Sequence, residues 1–347
     1  MLLFYCRAGF EADCAAELSA AAAAAGAYGR WEHQTGAAHV LWHPSAGSGK
    51  RREWTPDFAD LALVRQLLTH ARLVDVPVPA ERLAAIVAAA KQLGRRFSTV
   101  WLEAPDAEGP RQLLTGARSS LEPLHDALRE AGVIAPRGPR LHVCLLDRHQ
   151  VVLGASVADN SSPWPMGIPR LRFPAGAPSR SGLKLLEALM LFIGEEDLLG
   201  RMRAGRVAID LGASPGGWSQ VLASRGVRVL AVDNGPIAPE VLQTQFVEHR
   251  REDAFRFRPE RPVDWMVCDV VAAPARIAAL VAQWIARRWC RETIFNLKLP
   301  NKDRWREVQR CHDVIEKTLA AAEGDHALRF KHLYHDREEI TGHLRRL

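Results

Sequence analysis

The stretch RVAIDLGASPGGWS, residues 206–219, decides the fold of the second half of the chain. It predicts a buried strand, a turn with glycines at 212, 216 and 217, and the start of a helix. Glycines let the backbone approach a ligand where a Cβ atom would block it, and a helix N-terminus favours a negative group. The stretch has neither the GxGxxG spacing nor the GK[ST] of a P-loop, so neither a dinucleotide nor ATP is indicated.

Three aspartates follow the predicted strands in order. Asp210 and Asp233 end the first and second strands, and Asp253 follows the third. An acid at the end of the second strand of an α/β cofactor fold typically reads a ribose diol. We therefore expect S-adenosylmethionine, with its amino-acid end, ribose and adenine meeting these three positions. Each aspartate also has a plain structural interpretation, because strand-end aspartates often cap the next helix.

The organisation of the chain predicts two domains. Residues 179–347 alternate apolar strands with helices, which predicts an α/β doubly wound, Rossmann-like sheet. Residues 1–160 mix strands and helices without a glycine-rich ligand loop, which indicates an α+β module with no catalytic constellation. Within it, residues 61–74 fit a helix or a strand equally well. The stretch 161–178 contains five prolines and is interpreted as an extended connector.

Composition points to an intracellular protein with a polyanionic partner. The net charge is +6, and residues 1–160 carry 17 basic and 17 acidic residues, so the excess lies in the second half. A basic half suits nucleic acid, although composition bias explains it as well. The six cysteines form no CxxC pair, so we expect no metal site and a reduced, cytoplasmic setting. The sequence indicates no secretion signal and no membrane span, and we expect a monomer.

Four charged residues of the second half stand in unusual places. Lys184 lies on a helix before the first strand, Asp269 closes an apolar strand, and Glu339 lies in the final strand region. Lys298 lies in the apolar run TIFNLKLPNK, residues 293–302. Strand ends of a doubly wound sheet meet at one crevice, so Asp269 should face the same cleft as Asp210. Taken singly, each has an ordinary explanation, such as a snorkelling edge lysine, a helix cap or a surface charge.

These residues carry a resemblance to a known family. The turn DLGASPGGWS is similar to the cofactor motif of the FtsJ-like ribose 2′-O-methyltransferases. That family uses a Lys-Asp-Lys-Glu tetrad, which Lys184, Asp269, Lys298 and Glu339 match in order, although the adjacent Glu338 leaves the register open by one. The resemblance extends to bacterial large-subunit ribosomal RNA methyltransferases along FYCRAGFEADCAAEL, NSSPWPMGIPRLRFPAGAPSRS and WCRETIFNLKLP, and so spans most of the chain.

The resemblance implies a THUMP-like, ferredoxin-related RNA-binding region before a Rossmann-like, class I methyltransferase domain. It implies 2′-O-methylation of one cytidine in 23S rRNA, near the peptidyl transferase centre, without a metal. It also implies contacts to S-adenosylmethionine from residues that include the glycine turn; these are Ser181, Asp210, Gly212, Ser214, Pro215, Gly216, Gly217, Asp233, Asp253 and Asp269. An RNA-binding ribosome-assembly factor and a 2′-O-methyltransferase of another RNA remain as alternatives.

The chemistry of the tetrad assigns a role to each member. A 2′-hydroxyl is a poor nucleophile while protonated, so the reaction needs a base and in-line positioning. We assign Lys298 as the base and Lys184 as its like-charged neighbour, with Asp269 and Glu339 as orienting groups. Burial and Lys184 should lower the pKa of Lys298, whereas the two acids oppose that shift. The sequence leaves the balance open.

Overall fold

The structure is a computed structural model that describes residues 1–45, 54–76, 78–173 and 176–347. The chain divides into two compact units, Met1–Pro169 and Arg170–Leu347. Each unit contains its own seven-stranded sheet within the described residues. No helix among these residues has the length and apolarity needed to cross a bilayer.

The first unit is an α+β module, as expected. Its strands are β1 (Leu2–Tyr5), β2 (Gly29–His33), β3 (His39–Pro44), β4 (Gln66–Asp75), β5 (Thr99–Glu103), β6 (Arg140–Leu145) and β7 (Gln150–Ser156). Its helices are α1 (Glu11–Ala24), α2 (Arg82–Gln92), α3 (Glu108–Gly116) and α4 (Leu121–Glu130). The strand order is β2-β3-β1-β4-β7-β6-β5.

Strand β4 joins the two halves of this sheet. It pairs antiparallel with β1 on one side and with β7 on the other, and its register shifts between Thr69 and Arg72. The first half, β2-β3-β1-β4, is antiparallel throughout and has the strand order of a ferredoxin-like domain. Residues 61–74, which fitted a helix or a strand equally well in the sequence, are thus partly a strand. Gln66, Leu67 and Leu68 are all buried because both faces of this central strand are covered, which removes the alternation that identifies a half-exposed strand.

The boundary between the units lies later than the sequence indicated. Residues 161–169 belong to the first unit rather than to an extended connector. The side chain of Gln66 donates to the carbonyl oxygens of Ser162 and Trp164, at 3.1 and 3.2 Å, and Glu103 accepts from the backbone N–H of Met166 at 2.8 Å. Buried polar groups of the sheet thus satisfy this proline-rich segment, which proline spacing alone does not reveal. Residues 174 and 175 of the predicted connector lie outside the described residues.

The second unit has the expected doubly wound α/β architecture. Its strands are β8 (Val207–Leu211), β9 (Arg228–Val232), β10 (Val247–Arg250), β11 (Val263–Cys268), β12 (Cys290–Lys298), β13 (His326–Lys331) and β14 (Glu339–Arg346). Its helices are α5 (Gly182–Phe192), α6 (Glu195–Arg201), α7 (Gly217–Ala223), α8 (Pro239–Leu242), α9 (Pro274–Ala286) and α10 (Arg304–Leu319).

The strand order of this sheet, β10-β9-β8-β11-β12-β14-β13, positions the site. The first five strands are parallel, so their carboxyl ends share one edge. Strand β14 inserts antiparallel between β12 and β13, and its first residue, Glu339, pairs in register with Lys298, the last residue of β12. This reversal brings the end of one strand and the start of another to the same edge. Helices α5 and α7 pack together and bury apolar residues such as Leu189 and Leu222 against the sheet.

Candidate active site

The glycine turn after β8, residues 212–217, forms a cradle so closely packed that a Cβ atom at Gly212 or Gly217 would collide with neighbouring residues. Gly212 has a φ of +78°, and a Cβ atom there would lie 2.8 Å from the Val270 side chain. Gly216 has a φ of +115°. A Cβ atom on Gly217 would lie 2.4 Å from the Ser179 hydroxyl and 2.7 Å from that of Ser181. The turn therefore needs glycine for both conformation and space.

Asp210 lies at the bottom of this cradle and is completely buried. One carboxylate oxygen accepts a hydrogen bond from the Ser219 hydroxyl at 2.7 Å, and the other, Oδ1, is buried and has no hydrogen-bond partner among the described residues. Desolvation raises the pKa of Asp210 to about 7, with a further contribution from the negative charge of Asp269. A buried carboxylate that lacks one donor suits a cationic ligand group, and the amino group of S-adenosylmethionine is such a group.

The flanking positions predicted to bind the cofactor differ in their surroundings. Asp233 is half-buried, and its carboxylate accepts the backbone N–H of Ser214 at 3.1 Å and of Gly235 at 2.7 Å, which ties the end of β9 to the glycine turn. Asp253 is exposed and accepts the N–H of Phe255 at 2.7 Å within its own loop. Asp233 thus lies directly on the cradle, whereas the described hydrogen bond of the Asp253 side chain is local.

Ser181 occupies the N-cap position of α5 but does not cap it with its side chain. Its hydroxyl instead pairs with that of Ser179 at 2.6 Å, and its carbonyl oxygen accepts the Trp218 indole N–H at 2.9 Å. Ser181 therefore faces the glycine turn, because α5 packs against α7. Ser214 donates from its hydroxyl to the Pro236 carbonyl oxygen at 2.8 Å, and the neighbouring Pro215 is exposed. The unpaired buried oxygen of Asp210 fits the cationic amino group of S-adenosylmethionine in charge.

The structure brings the four charged residues together at the same edge of the sheet. Lys298 Nζ donates to Asp269 Oδ1 at 3.1 Å and also to Glu339. Lys184 Nζ forms an ion pair with Glu339 and lies 3.9 Å from Asp269 Oδ2. Two carboxylates thus bridge two ammonium groups, and these formal charges cancel. Lys298 is the most exposed member, with 30% of its side chain accessible against 15% for Lys184 and 6% for Glu339.

The balance of effects on Lys298 favours its charged form. Burial lowers the pKa of Lys298, but the charges and hydrogen bonds of Asp269 and Glu339 outweigh burial, so the pKa lies above the ordinary lysine value. For Glu339 burial raises the pKa, but Lys184 and Lys298 outweigh it and hold the pKa below the ordinary range. Asp269 and Glu339 therefore determine the direction in which the pKa of Lys298 shifts. The apolar run does not enclose the ammonium group, because Lys298 ends its strand at the solvent edge.

The structure places Glu339, and not Glu338, in this cluster. Glu338 is exposed and pairs with the Arg304 guanidinium at 3.0 and 2.8 Å. Glu338 lies just before the first residue of β14, and its carboxylate is bound by Arg304 instead of by the lysines.

Three polar residues next to the cluster escaped the sequence analysis. Asn296 donates from Nδ2 to Asp269 Oδ1 at 3.0 Å, and its Oδ1 accepts from the Thr341 hydroxyl at 2.8 Å. Thr341 also contacts both carboxylate oxygens of the buried Asp336, at 3.2 and 3.0 Å. Asn296 precedes Lys298 by two positions, so the strand period was a signal that it shares the lysine's face. The loop position of Asp336 gave no such signal.

Glu187 positions the loop that leads to Glu339. This buried carboxylate accepts the backbone N–H of Tyr334 at 2.7 Å and that of His335 at 3.0 Å. It also contacts the His335 Nδ1 at 2.6 Å. Because Glu187 lies one turn after Lys184 on α5, the helix holds both the first lysine and the loop before the glutamate.

Comparisons with known proteins agree with this architecture. The FtsJ-like methyltransferase family matches residues 177–322, the RlmM ferredoxin-like domain matches residues 1–68, and the N-terminal domain of ribosomal RNA large subunit methyltransferase M matches residues 81–157. The expected fold, a Rossmann-like class I methyltransferase domain after a ferredoxin-like region, is thereby confirmed. The THUMP-like character of the first unit stays a prediction.

Curated relatives match over nearly the whole chain. Three of them are called ribosomal RNA large subunit methyltransferase M. The protein of Azoarcus sp. (strain BH72) is 46% identical and covers 99% of this chain and 95% of its own length. That of Aromatoleum aromaticum is 47% identical over 99% and 94%, and that of Methylococcus capsulatus is 44% identical over 99% and 97%. The chain therefore belongs to the ribosomal RNA large subunit methyltransferase M family and carries an FtsJ-like methyltransferase domain.

Proposed function

We propose that this chain transfers a methyl group from S-adenosylmethionine to the ribose 2′-hydroxyl of one cytidine in 23S rRNA, near the peptidyl transferase centre. The observation that carries the proposal is the cluster of Lys184, Asp269, Lys298 and Glu339 beside the glycine cradle. The relatives' names support a ribosomal RNA substrate of the large subunit. Such a reaction places the enzyme in the bacterial cytoplasm, where ribosomal RNA is made.

The cradle would hold the cofactor from three sides. Gly212 and Gly217 allow the close packing that shapes the turn, Asp210 offers a buried oxygen for its amino group, and Asp233 lies where a ribose diol would be read. When bound, S-adenosylmethionine supplies an electrophilic sulfonium methyl group. The protein's remaining tasks are to orient the 2′-hydroxyl and to accept its proton.

Lys298 is the proposed base because it is the most accessible ammonium group of the cluster. Its neutral form accepts the proton of the 2′-hydroxyl at Nζ, and the resulting ammonium is stabilised by Asp269 and Glu339. Lys184 holds Glu339 in place through their ion pair. Because the two acids raise the pKa of Lys298, only a small fraction is neutral near pH 7, and the rate should increase with pH.

Methyl transfer to naked 23S rRNA tests the proposal directly. We expect the Lys298→Ala variant to lose at least about a hundredfold in single-turnover rate, as general bases contribute about 10²–10⁴-fold. Cofactor affinity, measured by calorimetry, should change little. Lys302→Ala, at an exposed lysine four positions later, serves as the matched control.

Nucleoside mass spectrometry identifies the product. A 2′-O-methylcytidine that appears with the wild-type chain supports the proposal. If the wild-type protein methylates a nucleobase or another RNA, its substrate is not the proposed cytidine 2′-hydroxyl. Absence of any transfer by the wild-type chain, with rRNA binding retained, would favour an assembly factor.

A further inference from the structure

A chain of hydrogen bonds runs from the charged cluster into the protein interior. It begins at Asp269 Oδ1, continues through Asn296 and the Thr341 hydroxyl, and ends at Asp336. Asn296 and Thr341 pair in register on β12 and β14, two positions from the register pair of Lys298 and Glu339. The chain therefore lies on the same face of the sheet as the lysine. Asn296, Thr341 and Asp336 are all completely buried.

The donors and acceptors of this chain have a single consistent direction. Asp269 needs a donor, so Asn296 presents its amide nitrogen to Asp269 and its oxygen to Thr341. The Thr341 hydroxyl has one proton, and it must donate that proton to Asn296. An ionised Asp336 would compete for the same proton, whereas a protonated Asp336 donates to the Thr341 oxygen instead.

The surroundings of Asp336 fit the neutral acid. Its Oδ2 accepts the backbone N–H of Leu333 at 3.1 Å, and both of its carboxyl oxygens lie within hydrogen-bond distance of the Thr341 hydroxyl, at 3.2 and 3.0 Å. Burial raises the pKa of Asp336 well above its ordinary value, and the negative charges of Glu339 and Glu187 add to this effect, whereas Lys184 and the hydrogen bond from the Leu333 N–H oppose it. His335 in the same loop is bonded to Glu187.

We propose that Asn296, Thr341 and Asp336 are positioning residues that hold Asp269 in the orientation in which it pairs with Lys298, with Asp336 acting as a neutral donor at the buried end. The significance of this chain for methyl transfer rests on the proposed function. The positioning of Asp269 does not rest on the proposed function, because it changes the proton affinity of Lys298 and can be measured there. Loss of the chain frees Asp269 to turn and weakens its attraction for the ammonium group.

Lysine NMR measures this effect without any activity assay. The sequence has only seven lysines, so protein labelled with ¹³C at lysine Cε gives a simple spectrum in which Lys298→Arg identifies the Lys298 signal. We expect Thr341→Val, which removes the hydroxyl and keeps the side-chain shape, to move the Lys298 midpoint to lower pH. Thr341→Ser, which keeps the hydroxyl, should retain the wild-type midpoint.

Two further variants separate positioning from mere burial of polar groups. Thr293→Val removes another fully buried hydroxyl from β12, one that faces Met266 Sδ at 3.4 Å, and should leave the Lys298 midpoint unchanged. Asp336→Asn provides a donor and an acceptor without titrating, and should also leave it unchanged. The positioning proposal is wrong if the Lys298 midpoint of Thr341→Val equals that of the wild type. It is also wrong if Thr293→Val shifts the midpoint as much as Thr341→Val does. A shift in Asp336→Asn as large as that in Thr341→Val overturns the neutral acid.

Methyl transfer provides the second measurement. At a pH high enough for Lys298 to be neutral in both proteins, the single-turnover rate of Thr341→Val should fall about tenfold, the size expected for one hydrogen bond that orients a reacting group, while Thr293→Val stays near wild type. If the wild-type protein transfers no methyl group, the proposed function is wrong. The NMR titration midpoints of Lys298 still test whether Asn296, Thr341 and Asp336 position Asp269.

Discussion

At the scale of single residues, Lys298 illustrates how charge partners prevail over burial. The apolar run around it suggested a lysine whose pKa is lowered. In the fold the ammonium group ends its strand between two carboxylates, and its pKa is raised. A base with a raised pKa is neutral only at high pH, so activity should rise with pH and level off above that pKa.

Removing one carboxylate tests this explanation. Glu339→Gln removes a charge that raises the pKa of Lys298, so the rising limb of the pH–rate profile should move to lower pH. Single-turnover rates across the pH range measure it. Glu338→Gln is the matched control, since Glu338 pairs with Arg304 instead of with the lysines. If the rising limb of the pH–rate profile stays at the same pH in Glu339→Gln, another group is the base.

At the scale of elements, the close packing of α5 against the glycine turn decides whether the cradle forms. Gly217→Ala would push a Cβ atom to 2.4 Å from the Ser179 hydroxyl, closer than such atoms can approach. We expect cofactor affinity to fall by at least about tenfold, since a shift of the turn moves several contacts. Calorimetry measures it, and Gly200→Ala, on α6 with open space around it, is the control that should bind normally.

The strands of the first unit are joined by a buried polar network. Glu103 of β5 accepts from the Tyr5 hydroxyl of β1 at 2.9 Å and contacts His142 Nδ1 of β6 at 2.7 Å. His142 Nε2 in turn lies 2.7 Å from the Ser156 hydroxyl of β7. Because these groups are buried, Glu103→Ala leaves donors unsatisfied and should cost about 3 kcal/mol of unfolding free energy.

Urea unfolding followed by tryptophan fluorescence measures that loss. The exposed Glu122→Ala on α4 should change the unfolding free energy by less than about 0.5 kcal/mol. Equal stability of the two variants would show that the network contributes little to the sheet.

At the scale of the whole molecule, the two units divide charge and chemistry between them. The proposed catalytic residues and the excess positive charge both lie in the second half, whereas residues 1–160 have zero net charge. We nevertheless expect the first unit to bind RNA through shape and local arginines. A chain that starts at Arg170 should keep cofactor affinity but lose at least about tenfold in rRNA affinity and methyl transfer, measured by filter binding and single turnover. Wild-type rRNA binding by this shorter chain would contradict that role.

The sequence by itself determined the doubly wound domain and its glycine cradle, because strand periodicity and turn glycines are local properties of the chain. It also supplied Lys184, Asp269 and Lys298 as candidates. Only the tertiary structure decided the rest. The antiparallel insertion of β14 beside β12 selected Glu339 over Glu338 and brought Thr341 to Asn296. It also set the sign of the Lys298 shift, because an electrostatic balance depends on distances between residues that are far apart in the sequence.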